Sequence, residues 1–472
     1  MDMWLPTDER HREFLAEFLP FTERYYAREL SAADWTQWYE TALRRVVGHV
    51  QSRSPFYADH LAGVDAAALT LDDLTALPFT TKQDLRTHLL DVLSGDVHDA
   101  VFFYETTGTT GAATPCPRDG KEVIASNAHV TASWASIFDH HFGDQRPAIG
   151  LMGPTEVHSF GDTLGDVARN VGSCNAKIWP YSPVMGFAKA LQLMKDLRLE
   201  VICCTPGVCL NLAKAARFHG YDLEKDFAVK LFFLTGEMCT PALAATIDSV
   251  WGTTTYNILY GSQEAFVMGT ACRNGAMHLS APNYIAEVLD PDTGESLGSR
   301  GTGELCVTTV VAGIKPLVRY RTGDVVRLSD SDCDCELPGD RLEVVGRVLD
   351  RIELGGSRLL ASDLEEAVLD GVTRCVGFQV VIDRVDGADV VTVRLEMLPG
   401  ARDEQVASGV VTRFAERLGV RCEVEFVDEV DQITSTGAFV SWKAARILDR
   451  RRARDHEEEV AAAMATRRGY DT

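Results

Sequence analysis

The sequence predicts an α/β protein: a large N-terminal α/β domain with parallel sheets and a β-rich sub-domain, followed by a small α+β C-terminal domain. Three observations carry this. At 472 residues the chain exceeds what one simple core organises. From about residue 100 to 265, short apolar runs alternate with amphipathic helical stretches, the pattern of a largely parallel sheet with ligand loops at the carboxyl ends of its strands. From about 280 to 345 that pattern gives way to alternating strands and tight turns.

Taken in order, residues 8 to 50 place aromatic and charged positions at helical spacing, and the loop Leu77-Pro78-Phe79-Thr80-Thr81-Lys82 leads into a helix through Gln83-Asp84-Leu85. Strands are expected at Ala148 to Met152, Val201 to Cys204, Lys230 to Leu234 and Thr255 to Leu259. The β-rich part includes Gly303 to Thr309 and the turn Asp292-Thr293-Gly294. A boundary near Gly346-Arg347 separates a large N-terminal domain, 1–346, from a smaller C-terminal one, 347–472. The smaller domain should hold helices at 362–369 and 403–418, strands near 376–383, 390–397 and 421–427, and a charged, solvated helix from Arg446 to Arg468.

Composition narrows function. Hydrophobic content of 46% and charged content of 24% are those of a folded protein, and a net charge of −23 argues against a nucleic-acid surface. The first twenty residues mix charge with apolar side chains, unlike a secretory signal, and no apolar run reaches the roughly 18 residues that span a bilayer. A cytoplasmic protein with no membrane partner is expected. Twelve Cys in so long a chain form no disulfide framework, so Cys203, Cys204 and Cys209 read as reduced core residues.

Directly behind the apolar stretch Val101 to Tyr104, the run Thr106-Thr107-Gly108-Thr109-Thr110-Gly111-Ala112-Ala113-Thr114 has the make-up of a phosphate cradle. Glycine lets backbone approach an anion, and N–H groups with hydroxyls replace its water. No Lys follows the second Gly, so this is no Walker A loop. Further along come Gly236-Glu237, Tyr260-Gly261-Ser262-Gln263-Glu264, Tyr320 to Asp324, Gly346-Arg347 and Lys443, the first three placed at the ends of strands. Activating an acid with ATP needs a triphosphate cradle, a Mg²⁺ carboxylate, a ribose anchor and a mobile cation. Glu264, Asp324 and Lys443 suit the last three.

In this order the segments resemble the adenylate-forming ligase superfamily of acyl-CoA synthetases, adenylation domains and luciferases, most closely its phenylacetate-CoA ligase branch. Ser54-Pro55-Phe56-Tyr57, Leu77 to Leu85, Gly275 to His278 and Pro316 to Asp324 carry the resemblance to that branch. It implies adenine stacking beside Gly236 and Glu237, ribose binding by Asp324 with Arg347, and Lys443 contacting substrate and α-phosphate. It also implies a lid that swings between an adenylating pose and a second pose open to CoA or another acceptor.

Cys272, His278, Cys333 and Cys335 form Cys-x5-His and Cys-x-Cys, a donor set for structural zinc, with unligated cysteines as the alternative. Candidates for the acid pocket are Trp134, His158, Phe160 and Met238, with Phe138 and Trp179; if several line it, a flat aryl acid is the guest. Three positions depart from the family: Ala112 and Ala113 stand where Lys and Pro are usual, Gln263 precedes Glu264 in place of a hydroxyl residue, and Leu349 occupies the hinge ahead of Asp350. The leading reading is ATP- and Mg²⁺-dependent adenylation of an aromatic acid with transfer to CoA. The alternatives are activation of nitrite for diazotisation of an aryl amine, or amide formation without CoA, as in some relatives of specialised metabolism. Glu264, Asp324 and Lys443 together argue against a non-catalytic nucleotide-binding module. The sequence does not reveal the oligomeric state.

Overall fold

The computed structural model describes residues 11–106, 113–430 and 446–451. Two helices, Arg12–Tyr26 and Ala32–Arg53, occupy the stretch expected to be helical, the second opened by a capping box between Ser31 and Asp34. Five parallel strands form one sheet in the order Asn175–Lys177, Ile149–Leu151, Val201–Cys204, Leu231–Leu234, Thr254–Asn257. In chain order this is 2-1-3-4-5, the doubly wound arrangement whose ligand crevice opens where the winding direction reverses, here beside the ends of Ile149–Leu151 and Val201–Cys204. These strands are short, apolar and buried because helices cover both faces: Gly120–Phe142 and Ser159–Asn170 on one, Pro206–Phe218 and Pro241–Trp251 on the other.

A second sheet of seven antiparallel strands runs Tyr284–Leu289, Gly301–Thr309, Tyr320–Ser329, Arg341–Arg347, Met277–Leu279, Phe266–Ala271, Leu259–Ser262. The β-rich unit therefore begins at Leu259, some twenty residues before the expected start near 280. The cause is local: Asn257 ends the last parallel strand, and Ile258 alone separates it from the first antiparallel one, so the apolar pattern gives no sign of the switch.

The hairpin Phe102–Glu105 with Pro115–Arg118 frames the cradle. Beyond Arg347, a small hairpin, Ile352–Leu354 with Ser357–Leu359, turns on Gly355-Gly356, whose φ values of 62° and 78° suit glycine. A four-stranded mixed sheet follows, ordered Cys422–Val427, Ala388–Met397, Cys375–Val385, Ile447–Asp449, with helices Ala361–Leu369 and Glu404–Leu418. One expectation fails here. Ile447–Asp449 is a strand, pairing in parallel with Val380 to Ile382, and not the start of a charged helix. Its Ile-Leu pair completes the sheet edge, which outweighs the charge pattern of the residues after it. A single apolar cluster joins Phe232, Leu243 and Trp251 to Leu364, Val368 and Phe378, so the C-terminal unit sits on the outer helices of the parallel sheet.

Candidate active site

Thr106 closes the cradle hairpin, its N–H donating to Thr114 O at 3.1 Å and its Oγ1 accepting from Thr114 N at 2.9 Å. The cradle positions Thr107, Gly108, Thr109, Thr110, Gly111 and Ala112 lie outside the described residues, as does Lys443.

The strand Leu259–Ser262 folds back on Phe266–Ala271, and the turn between them presents Gln263 and Glu264. These residues thus open the antiparallel sheet, where the sequence suggested the end of a parallel strand. Gly261 is required: a Cβ there would lie 2.4 Å from the Phe266 carbonyl oxygen. Glu264 is 4% exposed, and its Oε1 lies 3.3 Å from Lys82 Nζ with no hydrogen-bond partner among the described residues. Burial pushes its carboxyl up, but Lys82, then Lys315, and its own backbone N–H outweigh this and hold it below the usual range. Gln263 Oε1 is likewise buried and unpartnered among the described residues.

Two buried cations flank this turn. Arg118 donates to the carbonyls of Gln263 at 2.6 Å and Glu264 at 2.7 Å, and pairs with Glu122 at 3.0 Å. Lys315, 1% exposed, donates to Pro115 O at 2.8 Å and to Cys116 Sγ at 2.9 Å, on the strand that leaves the cradle. Lys82 arrives because its loop docks on the edge of the strand Tyr320–Ser329: Thr80 exchanges backbone hydrogen bonds with Arg319 and Arg321 at 3.0 and 2.9 Å. The Leu77 to Leu85 motif contained Lys82, but nothing in spacing showed that it would reach Glu264.

Asp324 and Arg347 are register partners on neighbouring strands, and Arg347 Nε lies 3.3 Å from Asp324 Oδ1. Tyr260 Oη donates to Asp324 Oδ2 at 2.7 Å. Burial, and then the Asp324 charge, raise the Tyr260 phenol well above its ordinary value, so it remains a donor. Tyr260, Asp324 and Arg347, read from separate motifs, thus form one cluster. The Tyr320 to Asp324 segment opens its strand, where the sequence reading had it close one.

Gly236, at φ 83°, turns the chain after the strand Leu231–Leu234, and Glu237 Oε2 accepts from Gly207 N at 3.1 Å and from Arg446 Nη2 at 2.5 Å. Met238 is half-buried beside it. At the crevice, His158 caps the helix Ser159–Asn170, its Nδ1 accepting from Phe160 N at 3.1 Å. Phe160 lies against Gly153, where any Cβ would sit 2.5 Å from the ring. Trp134 and Phe138 are elsewhere: both are fully buried, packed around Phe233 between helix and sheet, and border no space that water could enter. Their helix turns them into the core because the face at 130, 134, 137 and 138 is its apolar stripe. Trp179 packs on Tyr181.

Cys272, His278, Cys333 and Cys335 place one ligand atom each within 4.8 Å of all the others. His278 Nδ1 meets the Gly339 carbonyl at 3.1 Å, leaving Nε2 facing Cys335 Sγ at 3.3 Å. A backbone partner on the far nitrogen is how metal-binding imidazoles are oriented. Among the described residues the cysteines form no disulfide, and no helix is long and apolar enough to cross a membrane.

A doubly wound sheet, a strand pair on either side of a threonine- and glycine-rich sequence, a buried carboxylate between lysines and a Tyr–Asp–Arg cluster define an adenylating enzyme. Residues 65–311 match the family model described as AMP-binding enzyme, and residues 357–451 match AMP-binding enzyme C-terminal domain. A phenylacetate-coenzyme A ligase of Thermus thermophilus is 30% identical over 371 residues, 76% of this chain and 80% of that protein. The ligase of the same name from Escherichia coli is 25% identical over 446 residues, 90% of this chain and 97% of its own. A crystal structure of a 2-hydroxyisobutyryl-CoA ligase in the postadenylation state superposes with a TM-score of 0.75 at 19% identity, covering 93% of both chains. The chain belongs to the AMP-binding, adenylate-forming family, in its phenylacetate-CoA ligase-like branch, and is an AMP-forming ligase.

Proposed function

We propose that the enzyme adenylates a small aromatic carboxylic acid with ATP and passes the acyl group to CoA, releasing AMP. The observation that carries this is the Tyr260–Asp324–Arg347 cluster beside Glu264, in a chain that spans most of two relatives named for that reaction. Asp324, its second oxygen oriented by Tyr260, is placed to accept both ribose hydroxyls, and Arg347 steadies its charge. The acid's oxygen attacks the α-phosphorus as pyrophosphate leaves, so positive charge is needed on both sides of that phosphate. Lys82 and Lys315 supply fixed charge near Glu264, and Lys443 is assigned the mobile cation. Glu264, buried and, among the described residues, held at Oε1 only by its ion pair with Lys82, fits Mg²⁺, which when bound neutralises the phosphate oxygens. Phe160 and His158, which follow the strand Ile149–Leu151 in the chain, are the side chains assigned to a planar guest. The domain division near 347 agrees in position with the interval between the two matched models, and Leu349, 86% exposed, is the assigned hinge. Three thiolates and one oriented imidazole favour a closed, structural zinc over a catalytic one.

Pyrophosphate release with ATP and Mg²⁺ over a panel of aryl acids, with and without CoA, tests this. A parallel row holds nitrite with aryl amines. An aryl-CoA thioester is expected; turnover confined to nitrite, or acid turnover that yields no thioester, would refute the proposal.

A further inference from the structure

We propose that Arg446 is a positioning residue for the adenylating half of the reaction, latching the C-terminal unit onto the wall of the nucleotide site; the proposal rests on the ligase reading above. The guanidinium is buried, with 7% of the side chain exposed, and its donors are divided between the two parts of the chain. Nη2 donates to Glu237 Oε2 at 2.5 Å and Nη1 to Met238 O at 3.1 Å, both in the loop after Leu231–Leu234. Nη1 also donates to Glu365 Oε2 at 2.7 Å, on the helix Ala361–Leu369.

Both carboxylates are gripped again from the N-terminal side. Glu365 accepts from Thr240 N at 3.0 Å, Glu366 from Ala242 N at 3.2 Å, and Glu237 from Gly207 N at 3.1 Å. Thr240 and Ala242 lie at the N-terminus of the helix Pro241–Trp251, where backbone N–H groups favour negative charge. Glu237 and Glu365 have 5% and 2% of their side chains exposed, and a pair of carboxylates buried this close together calls for a cation between them. Arg446 is that cation.

The two halves of this arrangement differ in how they respond to lid rotation. Arg446 and Glu365 travel together, whereas Glu237, Met238 and the amides of Gly207 and Thr240 stay with the parallel sheet. A rotated lid must therefore leave Glu237 without its guanidinium, and the pose described here is the one that the triad stabilises. Arg446 follows Lys443 by three residues in the sequence, so the latch is the nearest described neighbour along the chain of the cation assigned to adenylation. The latch thus favours adenylation and is released for the acceptor step.

The test separates the half-reactions in Arg446→Met and Glu237→Gln. Acid-dependent exchange of pyrophosphate into ATP should fall roughly 100-fold in Arg446→Met and about 10-fold in Glu237→Gln. Thioester formation from supplied acyl-adenylate and CoA should stay within about twofold of the parent in Arg446→Met. Equal losses in both half-reactions, or undiminished exchange, would overturn the proposal. Hydrogen exchange of the full-length protein gives a readout independent of turnover: Arg446→Met should expose the amides of Gly207 and Thr240, and unchanged protection refutes the latch. Failure of the parent protein to exchange pyrophosphate with any acid would instead refute the ligase reading, leaving hydrogen exchange to decide the latch.

Discussion

Lys315→Met removes one buried charge from beside the strand Pro115–Arg118 while nearly keeping the side chain's length. The ammonium is 1% exposed, with the Pro115 carbonyl at 2.8 Å and the Cys116 sulfur at 2.9 Å. Around the turn at Glu264, two buried cations, Arg118 and Lys315, face two buried carboxylates, Glu122 and Glu264. Arg118 is committed to Glu122, so without Lys315 the Glu264 charge leans on Lys82, whose side chain is 43% exposed. The variant leaves a buried carbonyl without its donor, a cost of about 1–3 kcal/mol, and weakens the support of Glu264. Relief from burying an ammonium offsets part of this. A net loss of about 1–3 kcal/mol at neutral pH lowers the melting temperature by a few degrees. The pH dependence has a definite sign. Glu264 is held below the ordinary carboxylate range, so its contribution is present above about pH 4.5 and is lost as pH falls through its folded pKa. Losing Lys315 raises that pKa, so the gap between parent and variant should be widest near neutrality and narrow as Glu264 protonates in both. Thermal melts from neutral pH down to about pH 3, below the ordinary carboxylate range, provide the assay. Identical melts, or a gap that widens on acidification, would refute this account of Lys315.

Lys443→Ala should abolish pyrophosphate release while leaving ATP affinity nearly unchanged, because its charge is needed most in the transition state; equilibrium ATP binding alongside the release assay checks this. Cys333→Ser should lower the melting temperature without a direct effect on the chemistry, and elemental analysis of fresh protein should find about one zinc per chain in the parent. Arg319→Met should cost about 3–5 kcal/mol in denaturant unfolding, because it strands Glu287. Arg319 holds that carboxylate by two bonds of 2.9 Å and also ties down the carbonyls of Thr75 and Leu77.

Much of the organisation was legible in the residues themselves. Alternating apolar runs and amphipathic stretches placed Val201–Cys204 and Leu231–Leu234, and the lid helices and strands fall within a residue or two of their expected ends. Short buried strands and strongly periodic helices write their burial into hydrophobic spacing, so that pattern needs no knowledge of the fold. Glu264, Asp324, Arg347 and the three Cys with His278 stood out as candidates for a related reason: few residue types suit such chemistry, and their neighbours are turn-forming glycines and threonines.

Tertiary structure alone decided which side chains meet. Trp134 looked like a pocket residue until its helix turned it onto Phe233, and Ile447–Asp449 lay in a charged stretch until Val380 to Ile382 offered it an edge. Lys82 stands 182 residues before Glu264, and Arg446 stands 209 after Glu237, so no local spacing encodes either contact. Sequence by itself determined the alternation of elements and the chemical types of the site, because both depend on neighbours along the chain. The pairing of buried charges across the fold depends on where distant backbones come to lie, and only the packed structure sets that.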